Sequence, residues 1–209
     1  MAFAGATVFA ILYWRYARRA DAPVLALRYV TERPFTVINL VGLGAIAAVL
    51  PVVAYIPLYV EGGLNRSTGL ASLGLMGLSI AWAVGAIASS RLLDRFTATT
   101  VASTGLSLAI VGGAMGSVMI NGSTAIWVVF VVPVILGFGL GLTTNSLLTA
   151  LQLAAEDTER GRVVASHQYA RALSNAIGPA VGGSLILFAV SRHIGDTRLL
   201  QDLLAGDEA

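Results

Sequence analysis

Long uncharged stretches dominate the middle of this sequence. The longest runs from Phe96 to Ala155 without a charged residue, and Phe35 to Val60 and Ser67 to Ser90 are equally free of charge. At about 1.5 Å per residue, a helix of ~20 residues crosses the ~30 Å hydrocarbon core of a bilayer. Helices and closed barrels are the structures that satisfy their own backbone hydrogen bonds there. Stretches of this length therefore predict a bundle of transmembrane helices.

The composition supports the same interpretation and excludes several functions. Hydrophobic residues make up 56% of the chain and charged residues 11%, whereas soluble domains carry about 25% charged residues. The chain has no cysteine, which excludes disulfides and thiolate metal sites, and we expect neither a metal nor another cofactor. A net charge of +2 gives no reason to expect nucleic-acid binding. The expected partners are the lipid bilayer and a small molecule.

The charged clusters and turn residues divide the chain into an all-α membrane fold with three regions. Residues 1–34 are predicted to hold the end of a transmembrane helix (1–16) and an amphipathic helix on the cytoplasmic surface (22–31). Residues 35–191 hold five full spans, and residues 192–209 form a polar extracytoplasmic tail. The predicted spans are 35–60, 67–90, 100–120, 125–153 and 163–191, with a turn of Asn, Gly, Ser and Thr at 121–124.

The positions of the arginines orient this bundle in the membrane. All thirteen basic residues are Arg, and they concentrate in alternate loops. Because cytoplasmic loops are enriched in positive charge, we expect the arginine-rich loops at 17–34, 91–95 and 156–162 to be cytoplasmic. The turns near Asn65 and Ser123 are then extracytoplasmic.

Six short motifs, in this order and spacing, resemble a known family. They are Pro34-Phe35, Ile56–Val60, Arg91–Arg95, Gly137–Gly141, Glu159–Arg162 and Arg171–Ser174. Together they resemble the C-terminal half of major facilitator superfamily transporters, with the fourteen-helix drug:proton antiporters as the most similar group. The resemblance covers nearly the whole chain. It implies a multi-pass protein of the cell membrane whose five spans correspond to the seventh to eleventh core helices.

By that resemblance the chain is a fragment whose partner is a missing N-terminal half. The full-length parent would export small amphipathic molecules or drugs by proton antiport. The resemblance also assigns Asp94 and Arg95 to the family's repeated cytoplasmic loop motif, which latches helix ends through charge pairs. Ser90 and Thr97 occupy positions where that motif has glycine. A pair that only fixes topology is the alternative interpretation.

The last span contains a second motif, in which Gly178, Pro179, Gly182 and Gly183 resemble the family's antiporter signature. The signature belongs to the fifth core helix, and its presence in the pseudo-symmetric eleventh is an echo expected of internal repeats. One interpretation is a role in conformational change. The other is close helix packing, because Ser174, Gly178 and Gly182 place small side chains on one helix face.

Three polar residues lie within the predicted spans and are candidates for substrate binding: Asn39, Asn145 and Arg171. Counted from the midpoint of each span, they lie about 12, 9 and 9 Å toward the cytoplasm and share one level. They are predicted to line the inner mouth of a substrate cavity, where Arg171 contacts an anion or a gate. Alternatively, the asparagines bond neighbouring helices and Arg171 extends to the cytoplasmic surface. His167 is expected at the interface.

None of the five predicted spans contains Asp or Glu. A proton antiporter needs a buried group that loads and releases a proton, so we expect that group in the absent half. A second hypothesis, of a different class, is a small membrane scaffold or regulatory subunit that packs on another membrane protein. An enzyme is disfavoured, because the spans contain no nucleophile with its base, no metal-ligand set and no paired carboxylates.

Overall fold

The computed structural model describes residues 15–16, 29, 32–119 and 127–194, with only the backbone at 34, 119, 186–187 and 189–194. Within these ranges five long helices and no strand are present, which confirms the predicted all-α class. The predicted partial helix (1–16), surface helix (22–31), turn at 121–124 and tail (192–209) lie almost entirely outside the described residues. The helices are α1 (Arg33–Leu58), α2 (Thr68–Leu92), α3 (Ala98–Met119), α4 (Val128–Ala154) and α5 (Arg160–Ile194).

Four of the five predicted spans are confirmed by length and apolar composition. In the described part of the chain the candidate spans are Phe35–Gly63, Thr68–Leu92, Ala98–Val118 and Val128–Ala154. The fifth predicted span, 163–191, falls within α5, a single helix of 35 residues. That α5 crosses the membrane stays a prediction.

Local chemistry accounts for where the helices begin and end. Pro34 stands in the first turn of α1, where a backbone N–H has no helical partner to lose. At its other end α1 continues into a π-helical turn, Tyr59–Gly63, beyond which Asn65 adopts a left-handed conformation (φ 50°) that asparagine tolerates well. The Thr97 hydroxyl accepts a 3.3 Å hydrogen bond from the backbone N–H of Thr100 and so caps α3.

Helix α4 is the centre of the bundle and packs extensively against α2 and α3. Two-thirds of its membrane-crossing window is buried, against a third or less in the other three candidate spans. Its glycines permit the close approach. A Cβ at Gly137 would collide with the Leu78 carbonyl of α2, and one at Gly139 would lie 2.6 Å from the Gly105 carbonyl of α3. The Gly137–Gly141 motif is therefore a helix-packing motif.

Helices α1 and α5 form a second close pair. Ser174, Gly178 and Gly182 are all buried, and a Cβ at Gly178 would lie 2.9 Å from the Ala47 carbonyl of α1. Gly182 packs directly on the Pro51 ring of the same helix. The predicted small-residue face of α5 is confirmed. Helix α1 also contacts α4, so the two groups of helices share one core that includes Val49, Leu136 and Leu140.

Candidate functional site

Asn145, the first of the three polar candidates, joins α4 to α2. Its side-chain amide lies within donating distance of the Ala86 carbonyl (3.3 Å), the Ser89 hydroxyl (3.2 Å) and the Ser90 hydroxyl (3.3 Å). Beneath it the buried hydroxyls of Ser89 and Ser146 lie 2.9 Å apart. Asn145 is half-buried, so one side of its amide is bound to α2 while the other remains accessible.

Arg171 extends from α5 toward α2 rather than along the membrane normal. Its guanidinium carbon lies 5.2 Å from the centre of the Trp82 ring, within the range of a cation–π contact. Trp82 stands two residues, roughly 3 Å along the axis, from the midpoint of α2. The contact places the guanidinium beside the central part of α2. Substrate contact and extension to the cytoplasmic surface both stay predictions for Arg171.

Asn39 lies apart from that pair, in the contact between α1 and α5. Its amide nitrogen donates to the Tyr29 carbonyl (3.2 Å), and its oxygen lies 3.1 Å from Nδ1 of His167. Asn39 is 9% exposed and His167 4% exposed. The Asn39 amide supplies the hydrogen bond that allows the His167 imidazole to be buried between α1 and α5. That His167 lies at the depth of the membrane interface stays a prediction. Both ends of the Asn39 side chain are thus engaged.

The structure therefore brings Asn145 and Arg171 to one face of α2 and places Asn39 elsewhere. Trp82, Ala86 and Ser90 follow one another at four-residue spacing on that face, which we call the polar face. The exposed apolar side chains of α2 lie on the opposite side: Ile80 is about 200° around the helix from Trp82. They form a stripe typical of a lipid-facing surface, composed of Leu73, Met76, Ile80, Val84 and Ile87.

The end of the bundle that is predicted to be cytoplasmic is held by a separate group of contacts. The Tyr29 hydroxyl donates to Glu159 (3.3 Å), and Glu159 also pairs with Arg162 at 2.6 Å. Tyr29 is buried and meets the Phe35 ring edge-on, beside Leu151 and Val163. This group fixes Tyr29, four residues before α1, to the start of α5. It gives the Glu159–Arg162 motif a structural role.

The loop after α2 contains Asp94 and Arg95, both exposed. Helix α2 ends when the N–H groups of Arg95 and Phe96 both bond to the Leu92 carbonyl. Among the residues that the structure describes, neither charged side chain has an ion-pair partner. A latching role for Asp94 and Arg95, like a conformational role for Gly178, Pro179, Gly182 and Gly183, stays a prediction.

Comparison with known proteins identifies the family. Residues 1–179 match the sequence profile of the Major Facilitator Superfamily, which is most of the chain. The chain belongs to the major facilitator superfamily. This facilitator protein is accordingly a multi-pass membrane protein of a transporter family, which agrees with the expectation that it is not an enzyme.

One curated relative of this facilitator protein is the multidrug transporter protein MdtP of Bacillus subtilis (strain 168). The two are 23% identical over 168 residues, which is 80% of this chain and 31% of MdtP. The chain thus spans about a third of the length of this relative. No solved structure matches the chain.

Sequence reasoning on this facilitator chain missed Trp82, which lies against Arg171, and the Ser89–Ser146 pair beside Asn145. Trp82 does carry a signal: tryptophan concentrates at membrane interfaces, so one in the middle of an aliphatic span is out of place. The serines carry none, because serine is common in membrane helices as a small packing residue. Their contribution depends on how α2 and α4 cross.

Proposed function

We propose that the five helices form one wall of the substrate path of a transporter for small amphipathic molecules. The observation that carries this proposal is the polar face of α2. There Arg171 of α5 lies over Trp82, near the midpoint of α2, and Asn145 of α4 bonds Ala86, Ser89 and Ser90 farther along the same helix. Polar groups within a membrane span are costly and face a protein interior or a water-filled path. The name of MdtP, a multidrug transporter, supports the same class of cargo.

In this proposal the three sequence candidates have different roles. Asn145 and Arg171 contact the substrate, since both are half-buried and face the space beside α2. Asn39 contributes indirectly, because it fixes α1 against α5 through His167. Asp94 and Arg95 close the cytoplasmic end of the path by charge contacts, and the Gly178–Gly183 segment lets α5 move closely along α1.

Export by proton antiport in the complete transporter is also part of the proposal. The one acidic residue in the candidate spans is Glu61, exposed at the end of Phe35–Gly63, so we infer that the proton-carrying group lies on other helices of the transporter. Facilitator transporters enclose their site between two six-helix halves that rock about the midplane. We infer that this chain supplies one wall and the partner half supplies the other wall together with the coupling group.

Reconstitution in vesicles tests this proposal. The chain alone, the chain with the N-terminal half of a related facilitator, and that half alone are compared under an imposed pH gradient with a fluorescent amphipathic probe. Movement that needs both halves and is abolished by an uncoupler is expected. Arg171→Gln should reduce it, whereas Arg91→Gln, at the exposed end of α2, should not. Gradient-driven movement by the chain alone would overturn the division of roles.

A further inference from the structure

The contact between Arg171 and Trp82 connects two helices that are otherwise not packed on each other. Helices α2 and α5 make no extensive packing contact with each other, yet the Arg171 side chain reaches from one to the other. The Trp82 ring holds the guanidinium beside α2 through a cation–π contact. Arg171 is therefore a hydrogen-bond donor positioned between two helices, rather than a surface charge surrounded by solvent.

The charge of this donor is uncompensated within the described part of the chain. The ion pairs there join Arg160 to Asp157 and Arg162 to Glu159, both at the cytoplasmic start of α5. A guanidinium close to mid-membrane is stable when it faces an anion or water. The Trp82 ring offsets part of its cost, since the face of an aromatic ring attracts a cation. What remains is a positive charge that no acidic side chain of the described residues neutralises.

We propose that this pair selects amphipathic substrates that bear a carboxylate and an aromatic or apolar body. The proposal rests on the transport function proposed above and names its substrate class. The guanidinium of Arg171 can bind the two oxygens of a carboxylate in a bidentate pair. The carbonyl oxygen of half-buried Asn145 can accept a hydrogen bond from a hydroxyl or amide elsewhere on the same molecule. The positive charge of Arg171 would repel a cation.

Two ligands with matched apolar bodies and opposite charges test this selectivity. The purified full chain in lipid nanodiscs is titrated with 4-(trifluoromethyl)phenylacetate and, separately, with 4-(trifluoromethyl)benzyl-trimethylammonium, and binding is followed by ¹⁹F line broadening. We expect the carboxylate to bind about 10-fold or more tightly than the cation, because a charge-assisted hydrogen-bond pair is involved. Arg171→Gln should remove that preference and Arg171→Lys should retain part of it. Arg91→Gln, with unchanged helix content, is the control.

Three other results of this titration are possible, and each contradicts a specific part of the proposal. Tighter binding of the cation, weakened by Trp82→Leu, would refute the anionic class and leave the proposed transport function standing. Binding of neither ligand to the wild-type chain would refute a carboxylate site at Arg171 and Trp82, whereas the proposed transport function is tested separately by the reconstitution with an N-terminal half. Carboxylate binding that is lost once the N-terminal half is added would show that Arg171 pairs with a protein carboxylate, which would also overturn the proposal.

Discussion

The close contact between Gly182 and Pro51 offers a direct test of how α1 and α5 pack. A Cβ at Gly182 would overlap both Cβ and Cγ of the Pro51 ring, so no rotamer of a larger residue fits. Overpacking of this kind costs about 1–3 kcal/mol, and Gly182→Leu should reach the upper end or exceed it. Val181 is the matched control, because it is the adjacent residue and 51% exposed. Val181→Leu should be nearly neutral.

The measurement is thermal unfolding of the purified chain in one detergent, followed by circular dichroism. For a chain of this size about 1 kcal/mol corresponds to roughly 2–4 °C in Tm, so Gly182→Ala should lower Tm by several degrees. Pro51→Gly removes both overlapping carbon atoms. In a double-mutant cycle it should therefore recover most of the loss caused by Gly182→Ala. Strictly additive effects of the two substitutions, or equal losses for Gly182→Leu and Val181→Leu, would refute the assigned face.

Two further predictions concern topology and the buried asparagine. Single cysteines can be introduced into this cysteine-free chain and labelled from outside intact cells with a membrane-impermeant reagent. We expect labelling at Asn65→Cys and Ser123→Cys but not at Ala98→Cys. The reverse pattern would show that the predicted orientation is inverted. Asn39→Ala should destabilise the chain by about 1–3 kcal/mol because it leaves the buried His167 ring without its partner, whereas Asn145→Ala, at a half-buried position, should cost less. Equal losses in Tm for the two variants would contradict the separate roles assigned to them.

Much of the fold is predictable because charge and apolarity alone mark the ends of membrane helices. The predicted span 67–90 corresponds to α2 (Thr68–Leu92), and it could be predicted because Arg66 and Arg91 mark its limits in the sequence. The small-residue face of α5 was equally readable, because Ser174, Gly178 and Gly182 recur at four-residue spacing. Predicted span 125–153 likewise became α4, Val128–Ala154.

The contacts of the site were not predictable in the same way. Asn39 and Arg171 are predicted to share a depth in the membrane, yet one is buried against His167 and the other lies over the Trp82 ring. Depth follows from position along a helix, whereas neighbours depend on how each helix is rotated and crossed against the others. That rotation is set by glycine contacts such as Gly85 against the Phe138 carbonyl, which sequence spacing does not specify.

The central claim is that the polar face of α2 borders a water-accessible path while the opposite side faces lipid. Ala86 and Ile87 are adjacent, so they lie at nearly the same depth, but Ala86 is on the polar face and Ile87, 60% exposed, belongs to the apolar stripe. Thiols react as thiolates, which form in water and not in lipid. In membranes that contain the chain together with an N-terminal half, Ala86→Cys should react faster with a water-soluble thiol reagent than Ile87→Cys. Faster reaction of Ile87→Cys would contradict the account.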